Sequence, residues 1–248
     1  MNVRDALFTR PDAETRLSAA GADALMSFDG IWRYWGRGRS RWAVLRGVDL
    51  QIPAGAAVRV EGSNGAGKTT LLRIGTAILS PHAGTVTVDG IRSDGNWREF
   101  HRRIGFLSAG DRGLYARFSV KGHLEYCARL AFLPRSVRGQ VVEDALVRFG
   151  LGELAKRRAD RLSQGQRQRL RLALTFVHRP RVLLLDEPRN SLDEAGLEML
   201  ADAVDDVLGA GGAVLWCAPA GEEQPVRFDR SYVIADGTLQ PTDGRAGM

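Results

Sequence analysis

Apolar and polar residues alternate along Val48-Asp49-Leu50-Gln51-Ile52, the pattern of a half-buried strand, and Pro53-Ala54-Gly55 closes it as a turn. A β-like pattern begins upstream at Ile31. Ala56 to Glu61 reads as a strand entering a glycine-rich loop, and Thr70 to Leu79 as the helix that leaves it. Thr85 to Gly90 reads as a short strand closed by an Asp-Gly turn. Residues 119–159 read as mostly helical, broken at Pro134, and a helix follows from Gln164 to Val177. Val182 to Leu185 is an unbroken aliphatic run, the mark of a strand buried on both faces. Leu197 to Leu208 reads as a helix and Ala213 to Cys217 as a second buried strand. Ser231 to Ile234 and Thr238-Leu239 form a closing hairpin. Residues 1–27 are a polar, Ala-rich extension, 28–240 a single domain, and 241–248 a tail.

Composition narrows the class. A chain of 248 residues with 44% hydrophobic and 26% charged residues can bury a substantial core and is neither disordered nor fibrous. Cys127 and Cys217 are the two cysteines, which excludes a disulfide scaffold or a four-cysteine zinc site. No apolar run reaches the ~18 residues of a transmembrane helix. The opening residues MNVRDALFTRPDAETR carry charge throughout, unlike a signal peptide, so a cytoplasmic location is expected. The net charge of +6 admits phosphate, anionic lipid or nucleic acid as partners without choosing among them. Arg157-Arg158 and the basic run Arg167–Arg171 read as solvated helix faces, and no nucleic-acid partner is expected. His82, His101, His123 and His178 lack metal-ligand spacing and read as surface or local contacts.

Candidate chemistry starts at Gly62-Ser63-Asn64-Gly65-Ala66-Gly67-Lys68-Thr69-Thr70, which fits G-x-x-x-x-G-K-[ST] between a strand and a helix. Glycines let successive backbone N–H groups face an anion, and the helix N-terminus adds its positive dipole end. Lys68 is placed to reach the β- and γ-phosphates and the Thr69 hydroxyl to ligate Mg²⁺. Of 35 lysines and arginines only three are lysine, and one of them falls here.

The run Val182–Leu185 ends in Asp186-Glu187. Acids at the carboxyl end of a parallel strand sit beside the phosphate loop. Asp186 is expected to hold Mg²⁺ through water. Glu187 is expected to orient or deprotonate the attacking water, a role typically worth ~10²–10⁴ in rate.

Leu162-Ser163-Gln164-Gly165-Gln166 stands before the helix from Gln164, with Ser163 at the N-cap position. With the phosphate loop and the Asp-Glu strand, it makes the chain resemble, over roughly residues 28–240, the ATP-binding subunit of ABC transporters, whose signature is usually LSGGQ. The resemblance implies an α/β P-loop NTPase fold of the ABC ATPase type. That fold has a mixed sheet core, an antiparallel β subdomain and an inserted helical subdomain at about 111–165. It also implies ATP and Mg²⁺ as ligands, and a head-to-tail dimer in which the signature of one subunit closes over ATP on the other. Ser163 and Gly165 would then contact the γ-phosphate on a second ATP-binding subunit. Ser191, Leu192 and Asp193 resemble the D-loop at the dimer seam. Tyr34, about 28 residues before the phosphate loop, resembles the aromatic that stacks on adenine, with Trp35 and Trp42 as neighbours able to serve instead.

Two family residues are missing. The glutamine usually found about 40 positions after the phosphate-loop lysine is replaced near Ala109, and no glutamine lies between Gln51 and Gln140. The histidine usually found after the strand that follows the D-loop is replaced near Pro219. A missing γ-phosphate donor commonly costs ~10²–10³ in rate. Ser108 or Asp111 would be the polar substitute near the metal. Residues Asp111 to Val120 resemble the segment of ABC exporters that lies beside a separate permease chain, with Tyr115 and Phe118 as apolar anchors and Arg112 as a polar one. The resemblance thus implies an ATP-hydrolysing subunit powering an exporter from the cytoplasmic face of the membrane. A small molecule or antibiotic is the first expectation for cargo, with lipid or polysaccharide next. The alternative is a partly degenerate subunit that gates the complex while a partner's site does most of the hydrolysis.

Overall fold

The computed structural model describes residues 24–110 and 113–242. The first sheet contains β1 (Ala24–Trp35), β2 (Trp42–Pro53), β4 (Ala83–Val88) and β5 (Ile91–Arg92), antiparallel in the order β2-β1-β4-β5. The second contains β3 (Ala57–Glu61), β6 (Ile104–Leu107), β7 (Val182–Asp186), β8 (Ala213–Ala218), β9 (Arg230–Ala235) and β10 (Thr238–Pro241). Its order is β10-β9-β3-β8-β7-β6, parallel except where β10 folds back on β9. The helices are α1 (Lys68–Gly75), α2 (Trp97–Arg102), α3 (Val120–Leu130), α4 (Arg135–Arg148), α5 (Gln164–Phe176) and α6 (Glu194–Gly209). This is the expected α/β architecture: a mixed central sheet, an antiparallel sheet, and helices α3 and α4 inserted between β6 and β7.

The aliphatic run of β7 is buried at every position because the central sheet is covered on both sides. Leu184 joins Leu215, Val58, Val60 and Cys217 in a core shared with α1 and the antiparallel sheet. Leu183 and Leu185 face the other way, with Val214 and Trp216, onto residues of α3 to α6. α1 is therefore clasped between two sheets, which fixes where its N-terminus points.

The structure corrects several element boundaries. β1 begins at Ala24, seven residues before Ile31 and inside the extension expected over 1–27. Its alternation is broken by a register shift between Phe28 and Ile31, where Gly30 takes φ +60°. α1 ends at Gly75 rather than Leu79, because Ala77 turns left-handed at φ +56° and the Leu79 N–H folds back to the Arg73 carbonyl. α6 begins at Glu194 because the Asp193 carboxylate accepts from the Gly196 N–H and caps it. The six-residue α2 was not expected; Asn96 caps it by accepting from the Glu99 N–H. Residues 1–23, Asp111, Arg112 and the tail beyond Thr242 lie outside the described residues.

Candidate functional site

β3 delivers the chain into the glycine-rich loop, and α1 leaves it from Lys68. Gly67 occupies the N-cap with φ +115°, and a side chain there would meet Leu45 and the Val44 carbonyl at 3.1 Å. Gly62 is as tight: a Cβ would lie 2.8 Å from both Cγ2 and the carbonyl oxygen of Ile234. The Lys68 side chain is 4% exposed, and its ammonium donates to the Gly62 carbonyl at 2.6 Å and the Ser63 carbonyl at 3.1 Å. It also lies 3.3 Å from the Glu187 carboxylate. Ser63, Asn64 and Gly65 are exposed at the loop's tip, Ala66 is half-buried, and Thr69 and Thr70 stand on the first turn of α1.

Asp186 closes β7 and is 1% exposed. The Thr69 hydroxyl donates to it, at 2.9 Å from one carboxylate oxygen and 3.2 Å from the other. Burial holds the Asp186 carboxyl above its usual range and the charge of Glu187 adds to the rise; the Thr69 hydroxyl, the Ala109 backbone N–H and the charge of Arg73 pull it back. A desolvated carboxylate beside a second acid, with a hydroxyl against it, is a hard-oxygen donor set that a divalent cation fits. Glu187 takes the left-handed conformation (φ +46°), and its N–H donates to the Cys217 carbonyl at 2.9 Å. The turn after β7 is thus pinned to β8, and the Glu187 side chain swings toward Lys68.

The signature lies at the start of α5. Ser163 and Gln166 form a reciprocal capping box: the Ser163 hydroxyl accepts from the Gln166 N–H at 3.2 Å, and the Gln166 side chain accepts from the Ser163 N–H at 3.0 Å. Leu162 is buried, whereas Ser163 and Gln164 are exposed. The D-loop residue Asp193 reaches the signature of its own chain, since a Cβ on Gly165 would lie 3.1 Å from an Asp193 carboxylate oxygen. Leu192 is half-buried against the helical core, and the Ser191 side chain lies outside the description.

Tyr34 stacks on Trp32 at 6.0 Å between ring centroids, with Arg41 over its ring at 4.0 Å and His82 at its edge. Ile31 is fully buried against the core around α1, so alternation puts Trp32 and Tyr34 on the opposite face of β1. Trp35, two residues beyond Arg33, carries the Arg33 guanidinium over its ring at 4.7 Å and is exposed at the strand's end. Trp42 pairs with Trp35 and is more exposed still.

Two residues escaped the sequence reading. Arg171, placed there among solvated arginines, is 7% exposed and turned inward, and Gln168 of the same helix is buried too. His123 makes the local contacts expected of it, at 2% exposure: its Nε2 accepts from the Tyr115 N–H and its Nδ1 meets the Ser119 carbonyl, both at 2.9 Å. It organises the segment on which Tyr115 and Phe118 are exposed. The inward face of α5, read at helical period, is the signal that would have found Arg171. Arg157 and Arg158 are exposed as expected.

Comparison with known proteins agrees with this geometry. Residues 45–190 match the family model described as ABC transporter. The chain is 34% identical to the ABC transporter ATP-binding protein NatA of Bacillus subtilis, over 79% of each protein. It is 32% identical to the daunorubicin resistance ATP-binding protein DrrA3 of Streptomyces coeruleorubidus, over 91% of this chain and 72% of the relative. The dimeric ABC transporter cassette MJ0796 superposes with a TM-score of 0.77 at 22% identity, covering 90% of this chain and all of that one. The chain belongs to the ABC transporter family, as an ATP-binding, ATP-hydrolysing subunit.

Proposed function

We propose that this subunit hydrolyses ATP at its own phosphate loop and so powers an exporter, working as a head-to-tail dimer beneath a separate membrane permease. The observation that carries the reading is that the first two residues of α1 each meet one acid at the end of β7: Thr69 meets Asp186 at 2.9 Å and Lys68 meets Glu187 at 3.3 Å. The loop amides and Lys68 bind the phosphates. The Thr69 hydroxyl and Asp186 hold Mg²⁺, which when bound neutralises charge on the phosphate oxygens. Glu187 takes a proton from, or orients, the attacking water. The Lys68 ammonium lies 3.3 Å from that carboxylate.

Adenine stacks on Trp35 rather than Tyr34. The faces of Tyr34 are engaged by Trp32 and Arg41, whereas Trp35 has the parity of Ile31 and of the face packed on α1. Ser163 and Gly165 close over ATP on a second ATP-binding subunit, and the exposure of Ser163 at the tip of α5 supports that role. Tyr115 and Phe118, 5.2 Å apart and both exposed, supply the apolar contact for the permease, which holds the subunit at the cytoplasmic face of the membrane. Among the described residues no helix is long and apolar enough to cross a membrane. The export direction draws support from relatives named for daunorubicin resistance and as a cytochrome c biogenesis export protein. A small molecule or antibiotic is the cargo class this reading favours.

Size-exclusion chromatography of Glu187→Gln with ATP and Mg²⁺ tests the dimer. A shift to dimer that disappears in Ser163→Arg is expected. A monomer under all conditions contradicts a self-sufficient sandwich and favours assembly with a different ATP-binding partner.

A further inference from the structure

Glu187 takes a left-handed conformation, φ +46° and ψ +52°. A residue with a side chain stays in that region only where its surroundings hold it there. Its own N–H is the first anchor, donating to the Cys217 carbonyl of β8 at 2.9 Å. Pro188 then opens a 3-10 turn over Pro188–Ser191, its ring fixing the backbone next to Glu187. Arg189 is the second anchor. Its Nη1 donates to the Glu223 carbonyl at 2.8 Å, and its Nε lies 3.9 Å from the Glu222 carboxylate. Both anchors thus fall on one stretch, β8 and the loop that follows it. That loop is fastened in turn to β3: Arg59 donates to the Glu222 carbonyl at 2.6 Å, and the Gly221 N–H donates to the Glu61 carboxylate at 3.2 Å. Glu61 ends β3, directly before Gly62 of the glycine-rich loop.

We propose that Arg189 is a positioning residue: by grasping residues 222–223 it holds the turn after β7, and so keeps the Glu187 backbone left-handed and its carboxylate facing Lys68. Without it the turn is fixed at one end only, by the Glu187 N–H, and the strained residue is free to relax. The forked geometry matters, because Nε and Nη1 address two partners at once, whereas a lysine ammonium is a single point charge. The inference rests on reading Glu187 as the residue that acts on the attacking water.

The test is single-turnover ATP hydrolysis by the membrane complex isolated through this subunit. Arg189→Ala and Arg189→Lys are each made in the wild-type and in the Glu187→Gln background. Arg189 is exposed, so its truncation leaves no buried cavity. Arg189→Ala is expected to slow hydrolysis about tenfold, part of the roughly 10²- to 10⁴-fold that a general base supplies. Arg189→Lys is expected to fall between, and carries the comparison alone if Arg189→Ala does not assemble. In the Glu187→Gln background the same substitutions are expected to change the rate by less than about twofold, because no carboxylate is left to position. A loss of folded protein slows both backgrounds alike, so equal effects in the two overturn the proposal. A wild-type rate in Arg189→Ala beside a slow Glu187→Gln also overturns it, and then the positioning role alone fails. If Glu187→Gln itself hydrolyses at the wild-type rate, the reading of Glu187 fails and the proposal with it.

Discussion

The Lys68 ammonium and the Glu187 carboxylate meet at 3.3 Å, with the lysine 4% and the glutamate 20% exposed. The ammonium has three donors, and the carbonyls of Gly62 and Ser63 take two of them. One cation therefore shapes the glycine-rich loop and faces the acid proposed to act on water. Lys68→Ala removes both functions. With hydrogen bonds to charged groups worth ~1.5–3 kcal/mol, ATP affinity is expected to fall by roughly 10- to 100-fold. Nucleotide titration of the variant checks this, and an affinity within twofold of wild type would remove Lys68 from the site.

Trp35 and Tyr34 are adjacent but on opposite faces of β1, which makes the adenine platform separable by substitution. Stacking of a base on an aromatic ring is worth ~1–3 kcal/mol. Trp35→Ala is expected to raise the KM for ATP by about tenfold with little change in kcat, while Tyr34→Ala leaves KM near the wild-type value. The reverse pattern would return the role to Tyr34.

His123 makes the segment bearing Tyr115 and Phe118 sensitive to pH. Its Nε2 accepts the Tyr115 N–H, so the folded ring is neutral, and burial lowers its pKa below the usual histidine value, opposed by the Ser119 carbonyl. The unfolded chain therefore takes up the proton first as pH falls. Stability is expected to be intact above pH ~6.5 and to decline below it, by at most ~1.4 kcal/mol per pH unit for one group. His178 shifts in the same direction through burial. Denaturant melts of wild type and His123→Gln between pH 7.5 and 5.5 isolate the His123 share. Parallel slopes would show that His123 contributes none.

Asp89 staples the two sheets together. From the turn between β4 and β5 its carboxylate accepts from Arg103 at 2.9 Å and from Arg181 at 2.7 Å, the residues that lead into β6 and β7. The Arg103 hydrogen bond is the main cause that holds the Asp89 carboxyl below its usual range. Its contribution is thus complete above the unfolded carboxyl pKa of ~3.9 and disappears as pH falls through the lower folded value. The group is partly exposed, so Asp89→Asn is expected to cost only about 1 kcal/mol at pH 7. Chemical denaturation at pH 7 measures that loss, and an acid series should show the variant and wild type converging at low pH.

The glycine-rich loop, the Asp-Glu strand and the LSQGQ string were legible in the sequence because each is a contiguous string with a fixed order of residue types. The strands of the central sheet were legible for a related reason: cover on both faces leaves an unbroken aliphatic run such as Val182–Leu185. What escaped depends on parity or on contacts distant in sequence. The register shift at Gly30 exchanges the faces of β1 and obscures which aromatic points toward α1. Arg171 is one of three arginines within five residues, and only helical phase separates the buried one from the others. The local contact of His123 was legible, but its partner, in a loop eight residues away, is announced by no periodicity.

The central claim is that this chain's own site hydrolyses ATP without the usual glutamine and histidine. The direct measurement is steady-state Mg²⁺-ATP turnover of the membrane complex isolated through this subunit, wild type against Glu187→Gln. Loss of the general base is expected to reduce turnover by about 10²- to 10⁴-fold while ATP still binds. Turnover that survives the substitution largely intact would contradict the account and assign the working site to a partner's phosphate loop.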